Sequence, residues 1–165
     1  MFDLKPLSPD AVPRALEKAE RYRLLNEPGE AESICLDVLR VDPDNRDALI
    51  IQILALTDQF DGFGVVVSRA LALLPRLRDA YERAYYTGIV HERRAKAQFR
   101  RGGPGSGFAA YEGLREAMRQ FEAAEAIRPP GNDDAILRWN TCARLLAEEP
   151  SLVPAPRELV EPQLE

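Results

Sequence analysis

The residues best suited to chemistry are few and scattered. Gly102-Gly103-Pro104-Gly105-Ser106-Gly107 is the kind of glycine-rich run whose backbone N–H groups can cradle a phosphate. It lacks the Gly-Lys-Ser/Thr ending and follows no strand signal, so it predicts the tip of a helical hairpin instead. His91 is the one histidine. A base or metal ligand needs partners, and no such set assembles around it. Cys35 and Cys142 are too few and too far apart for a disulfide framework or a metal motif. Cys35 reads as a small buried hydrophobe, and Cys142 faces the inner side of the last helix. Acid pairs such as Glu148-Glu149 stand near the end of the sequence rather than in a cleft. No Ser/His/Asp or Cys/His set assembles, and the expectation is a chain with no catalytic residue, metal or cofactor.

One charge cluster stands out. Arg93, Arg94, Lys96, Arg100 and Arg101 place five cations within nine residues. Such an arm could dock an acidic partner or a phosphate backbone. The alternative is a solvated basic face balanced by Glu148, Glu149, Glu158, Glu161 and Glu165. Composition favours the second reading, because 22 Lys+Arg against 27 Asp+Glu leaves the whole chain at −5. Nucleic acid is therefore an unfavoured partner. With 165 residues, 45% of them apolar, one folded domain is expected, not a disordered chain. The longest near-apolar stretch, Ala48 to Leu56, contains Gln52 and falls far short of the roughly 20 residues of a membrane span. The first residues, Met1-Phe2-Asp3-Leu4-Lys5-Pro6, carry no export signal, so a cytoplasmic protein is expected.

Helices must position whatever function there is. Strand patterns are almost missing; only Val65-Val66-Val67 is locally β-prone. Leu16, Ala19, Tyr22 and Leu25 recur every three residues and mark one face of a helix over about 15–25. Pro28-Gly29 predicts a break, with a second helix over about 30–41. Asp42-Pro43-Asp44-Asn45 stops that one and offers an N-cap for a third, about 46–59. Further helices are predicted over about 65–74, 77–100, 108–127 and from Asn132 or Asp133 to about 147. Residues 148–165 hold Pro150, Pro154, Pro156 and Pro162 and predict an irregular, acidic tail.

The helices pair with a repeating internal spacing. Ala19, Tyr22, Ala31, Cys35, Val38 and Pro43 are separated by 3, 9, 4, 3 and 5 residues. Gly88, His91, Ala117, Phe121, Ala124 and Pro129 are separated by 3, 26, 4, 3 and 5. A weaker set, Ile53, Leu56, Val66, Ala70, Leu73 and Arg78, gives 3, 10, 4, 3 and 5. Only the loop joining the two helices of each pair differs. This pattern resembles the tetratricopeptide repeat over residues 12–147, with three hairpins and a capping helix. The small residues Ala19 and Gly88 let two backbones cross closely, and Pro43 and Pro129 close the second helices. Trp139 falls where the repeat prefers a small residue and is expected to cap the open end.

The resemblance implies an all-α, right-handed superhelical array whose first helices line a concave groove for a segment of another protein. On this sequence the groove stripe falls on Leu16, Glu20, Ile50, Leu54, Tyr85, Ile89 and Arg93, apolar in the middle with acids at its edges. The Lys/Asn/Arg clamp that some family members use for a peptide carboxylate is not reproduced, since Leu16, Glu20, Ile51, Glu82 and Tyr86 occupy its positions. The third helix, apolar on nearly every side, is either central to the core or covered by a partner. Two other occupants of the groove are open. One is this chain itself, through its tail, with Leu152, Val153, Leu159, Val160 and Leu164, or through its extended third hairpin; the other is a second copy of the chain. The third hairpin, about 77–128, is longer than its neighbours and could serve self-association. An adaptor or scaffold without enzymatic activity is the functional expectation.

Overall fold

The computed structural model describes residues 2–61 and 64–156. Among these are seven α-helices and no strand: α1 (Val12–Leu24), α2 (Pro28–Val41), α3 (Arg46–Thr57), α4 (Gly64–Leu73), α5 (Ala80–Arg101), α6 (Ser106–Ala126) and α7 (Asp134–Glu148). The chain is all-α. Short 3-10 turns at Pro9–Ala11 and Leu74–Arg76 lead into α1 and out of α4.

The boundaries have local causes. Pro28 does not break a helix; it opens α2, where its missing N–H costs nothing and its fixed φ suits the first turn. The break falls two residues earlier, at Asn26, whose φ of 61° is the left-handed geometry that asparagine tolerates. Asn45 caps α3 by accepting from the Ala48 N–H at 2.9 Å. Asp79 caps α5 by accepting from Glu82 N–H at 2.8 Å, which sets the start of α5 at Ala80 rather than Leu77. Between α5 and α6, Gly102, Gly103 and Gly105 all take positive φ, and α6 begins inside the glycine run at Ser106.

Consecutive helices pack on one another, and α3 also touches α1 on one side and α5 on the other. Three apolar clusters follow the chain in order. Ala19, Ala31, Cys35, Ile51 and Ala55 join α1, α2 and α3. Leu49, Ile53, Leu56, Phe60, Ala70 and Val90 join α3, α4 and α5. Ile89, Leu114, Ala117, Phe121, Ala135 and Cys142 join α5, α6 and α7. The all-round apolarity of α3 follows from its place between the first two clusters, where nine of its twelve residues are buried. Close approach needs small residues at two places. A Cβ on Gly88 would lie 2.5 Å from the Phe121 ring, and one on Gly113 would lie 2.9 Å from Ala95 Cβ.

The α5–α6 pair, 22 and 21 residues long, far outreaches α1–α2 at 13 and 14. Its tip is held by the segment after α7. Leu152 is buried in the last cluster, and the Ser151 carbonyl lies where a side chain on Gly107 would be, 2.3 Å from an ideal Cβ. Residues 157–165, with Leu159, Val160 and Leu164, lie outside the described residues, as do Gly62 and Phe63.

Candidate functional site

The first helix of each pair contributes to one common face, and polar bonds tie these helices side by side. At one end Arg46 of α3 donates through Nε to Glu82 of α5 at 2.7 Å. At the other, Arg23 of α1 donates to Asp58 at 2.8 Å, and Arg93 of α5 pairs with the same carboxylate while reaching Thr57 Oγ1 at 3.0 Å. Beyond α5, Glu92 holds Lys96 on its own helix and Arg138 of α7 at 3.5 Å. Tyr81 of α5 donates to Asn132, just before α7, at 3.1 Å.

Two clefts open on this face. The first, about 620 Å³, lies between α1 and α3, with Leu16, Ile50, Ile51 and Tyr86 as its apolar lining and Glu17, Glu20, Asp47 and Arg46 around them. The second, about 380 Å³, spans all four helices of the face and is lined almost wholly by charge. Arg23, Arg93, Lys96, Arg100 and Arg138 supply cations; Asp58, Asp61 and Glu92 supply carboxylates. Glu92 is the exceptional member, with a side chain 1% exposed. Its Oε2 has no hydrogen-bond partner, although a buried carboxylate oxygen normally has one.

The seven predicted groove residues divide between these features. Leu16, Glu20 and Ile50 share the first cleft, Glu20 at its exposed rim and Ile50 almost covered on its floor. Arg93 lines the second cleft, already engaged by Asp58 and Thr57. Leu54 and Tyr85 line neither. Leu54 packs against both neighbouring core clusters; Tyr85 stacks on Tyr81 at 5.8 Å and meets Tyr86 edge-on at 5.1 Å. Ile89 is 1% exposed inside the core and offers no surface to a partner.

Sequence reasoning passed over Asp58 and Arg138. A signal for the first was present: Arg23, Asp58 and Arg93 alternate in sign at separations of 35 residues, one repeat length apart. Charges that recur in this way stand side by side on neighbouring hairpins. Much of the basic arm is paired too, across helices for Arg93 and Arg100 and within α5 for Lys96. Arg93, Lys96 and Arg100 pair with Asp58, Glu92 and Asp61, leaving the exposed Arg94 and Arg101 on another side of α5. Glu148 and Glu149, the tail acids among the described residues, play no part in these pairs, and no residue of the described tail lines either cleft; Glu158, Glu161 and Glu165 lie outside the described residues.

The remaining candidates for chemistry sit in packing positions. Burial pushes the Cys35 and Cys142 thiols up to about 12, far from a nucleophilic thiolate at neutral pH. His91, half-buried, is drawn below its ordinary value by desolvation. Trp139 donates its indole N–H to Glu122 of α6 at 2.9 Å. Among the described residues no three His, Cys, Asp or Glu side chains gather as metal ligands would, and no helix is long and apolar enough to cross a membrane. Compared with known proteins, the chain matches no family model, no curated protein and no solved structure.

Proposed function

We propose that this chain is a tetratricopeptide-like adaptor without catalytic activity, which lodges a short segment of another protein across the face of its first helices. In this reading the hairpins form a right-handed superhelical array, the face is its concave side, and the protein works in the cytoplasm. The observation that carries the proposal is the pair of clefts on one face, built by α1, α3, α5 and α7 together and left open by the described tail. The repeat spacing supports it, because residues at matching places in successive hairpins meet across that face.

Leu16 is half-buried, packs on the edge of the first cluster and lines the first cleft, so it is the best place to test the idea; Ile50 is almost wholly buried and Leu54 lines neither cleft. Leu16→Asn removes apolar surface from the cleft with a modest effect on folding. Capture of partners from lysate of the source cell, read by mass spectrometry, is expected to fall at least about tenfold, as losing ~1.4 kcal/mol of binding would produce. The melting temperature should shift by only a few degrees, on the order of what ~1 kcal/mol does to a chain this size. An unaltered set and amount of captured proteins overturns the proposal.

A further inference from the structure

The two clefts carry opposite charge. Around Leu16 and Ile50, three carboxylates (Glu17, Glu20 and Asp47) stand against the single cation Arg46. In the second cleft five cations face three carboxylates. Four of those cations are partly withdrawn from water: Arg23 is 17% exposed, Arg93 27%, Lys96 28% and Arg138 34%. Attraction for an incoming anion is stronger there than at a fully hydrated side chain, and salt screens it less. Asp58 is shared by two guanidinium groups and Glu92 by an ammonium and a guanidinium group, so each carboxylate offsets one of the two charges it touches. Glu92 Oε2, buried beside this surplus, still lacks a donor.

We infer that the bound segment is dipolar, with a cationic side chain seated in the cleft of Glu17, Glu20 and Asp47 and a carboxylate side chain in the cleft of Arg23, Arg93, Lys96 and Arg138. This rests on the adaptor reading above and adds the chemistry and direction of the segment. The carboxylate forks onto the guanidinium groups that line this cleft. A carboxylate is the anion that a segment carries without modification, and its two oxygens match the two donors of one guanidinium fork. Along α3 the clefts lie about ten residues apart, roughly 15 Å at the helical rise. An extended segment covers that in about five residues.

The test uses the full chain and three synthetic peptides of alanine, serine and leucine, each bearing two charges five residues apart. One carries Lys and Glu, one two Lys, and one two Glu. Fluorescence anisotropy is expected to show the mixed peptide binding about tenfold tighter than either other, with the margin shrinking as salt rises. In the Glu20→Lys/Asp47→Lys variant the preference should pass to the peptide with two Glu. Binding of all three within twofold, or of none, overturns the inference, as does an unmoved preference in the variant. Tighter binding when phosphoserine replaces Glu overturns the carboxylate assignment. If the charges prove irrelevant while Leu16→Asn still abolishes partner capture, the dipolar segment falls and the adaptor stands; if capture also ignores Leu16, both fall.

Discussion

Replacing Gly88 by alanine puts a methyl group where the Phe121 ring already is, 2.5 to 2.9 Å from three of its carbons. Phe121 is fully buried and has nowhere to go. Alanine gains about 1 kcal/mol in helix propensity, and overpacking costs about 1–3 kcal/mol, so Gly88→Ala should be net destabilising by about 1 kcal/mol in a urea melt. Gly29 is the matched control. A Cβ there meets nothing within 4 Å inside the first turn of α2, so Gly29→Ala should stabilise by about 0.5 kcal/mol. Gly88 was marked in the sequence, as the small residue of the recurring spacing; Gly113, where a Cβ would lie 2.9 Å from Ala95 Cβ, carried no such mark. The thiols make a prediction about pH. Their folded values, raised to about 12 by burial, lie above the unfolded value, so the unfolded chain loses its thiol protons first as pH rises. Stability is unaffected below about pH 8.5 and declines above it, by at most ~1.4 kcal/mol per pH unit for each thiol. Tyr86, held up to about 12 by burial, adds to the decline once the pH passes 10. Cys35→Ala/Cys142→Ala should flatten the alkaline limb between pH 9 and 10, measured as denaturation midpoints against those at pH 7.

At the scale of the element, caps and cross-helix charges decide where helices start and how they stay in register. Asn45→Ala should cost about 1 kcal/mol by leaving the Ala48 N–H without its acceptor. Asp58 joins α1 and α5 to α3 through Arg23 and Arg93, all three side chains between 17% and 27% exposed. Asp58→Asn should therefore cost about 1 kcal/mol at low salt, less in 1 M NaCl, with part of it shared with Arg93→Gln in a double-mutant cycle. Helix positions were largely readable, because Asn45, Pro43 and the glycines around 102–107 are unambiguous stop and start signals. The exceptions are instructive. Pro28 reads as a breaker from composition but acts as a helix opener, since only its neighbours' dihedrals distinguish the two. The start of α5 depended on Asp79 rather than on the apolar Leu77, which the core recruits from outside the helix.

For the whole molecule, the order of the three clusters along the chain sets the order of opening. The cluster between α1, α2 and α3 is built mainly of alanine with Cys35 and Ile51, whereas the last one contains Ile89, Leu114, Met118 and Phe121. Units coupled only to their neighbours open from the weaker end. Hydrogen exchange should find amides of α1 and α2 the first to exchange and those of α5 and α6 the last; uniform protection across all helices would contradict this. The recurring spacing in the sequence sorts the helices into consecutive pairs, and the three clusters follow the same order along the chain. The division of the face into two clefts of opposite sign was not, because it arises from which cations find a carboxylate on the next hairpin. The candidate groove was correspondingly half-legible: Leu16, Glu20 and Ile50 share a cleft, while Ile89 went to the core. Trp139, the one tryptophan, sits on α7 with its indole bonded to α6. The tryptophan emission of this protein, excited at the red edge where its five tyrosines do not absorb, thus reports on its carboxyl-terminal layer, and a melt followed by that light will lag one followed by circular dichroism whenever the amino-terminal helices let go first.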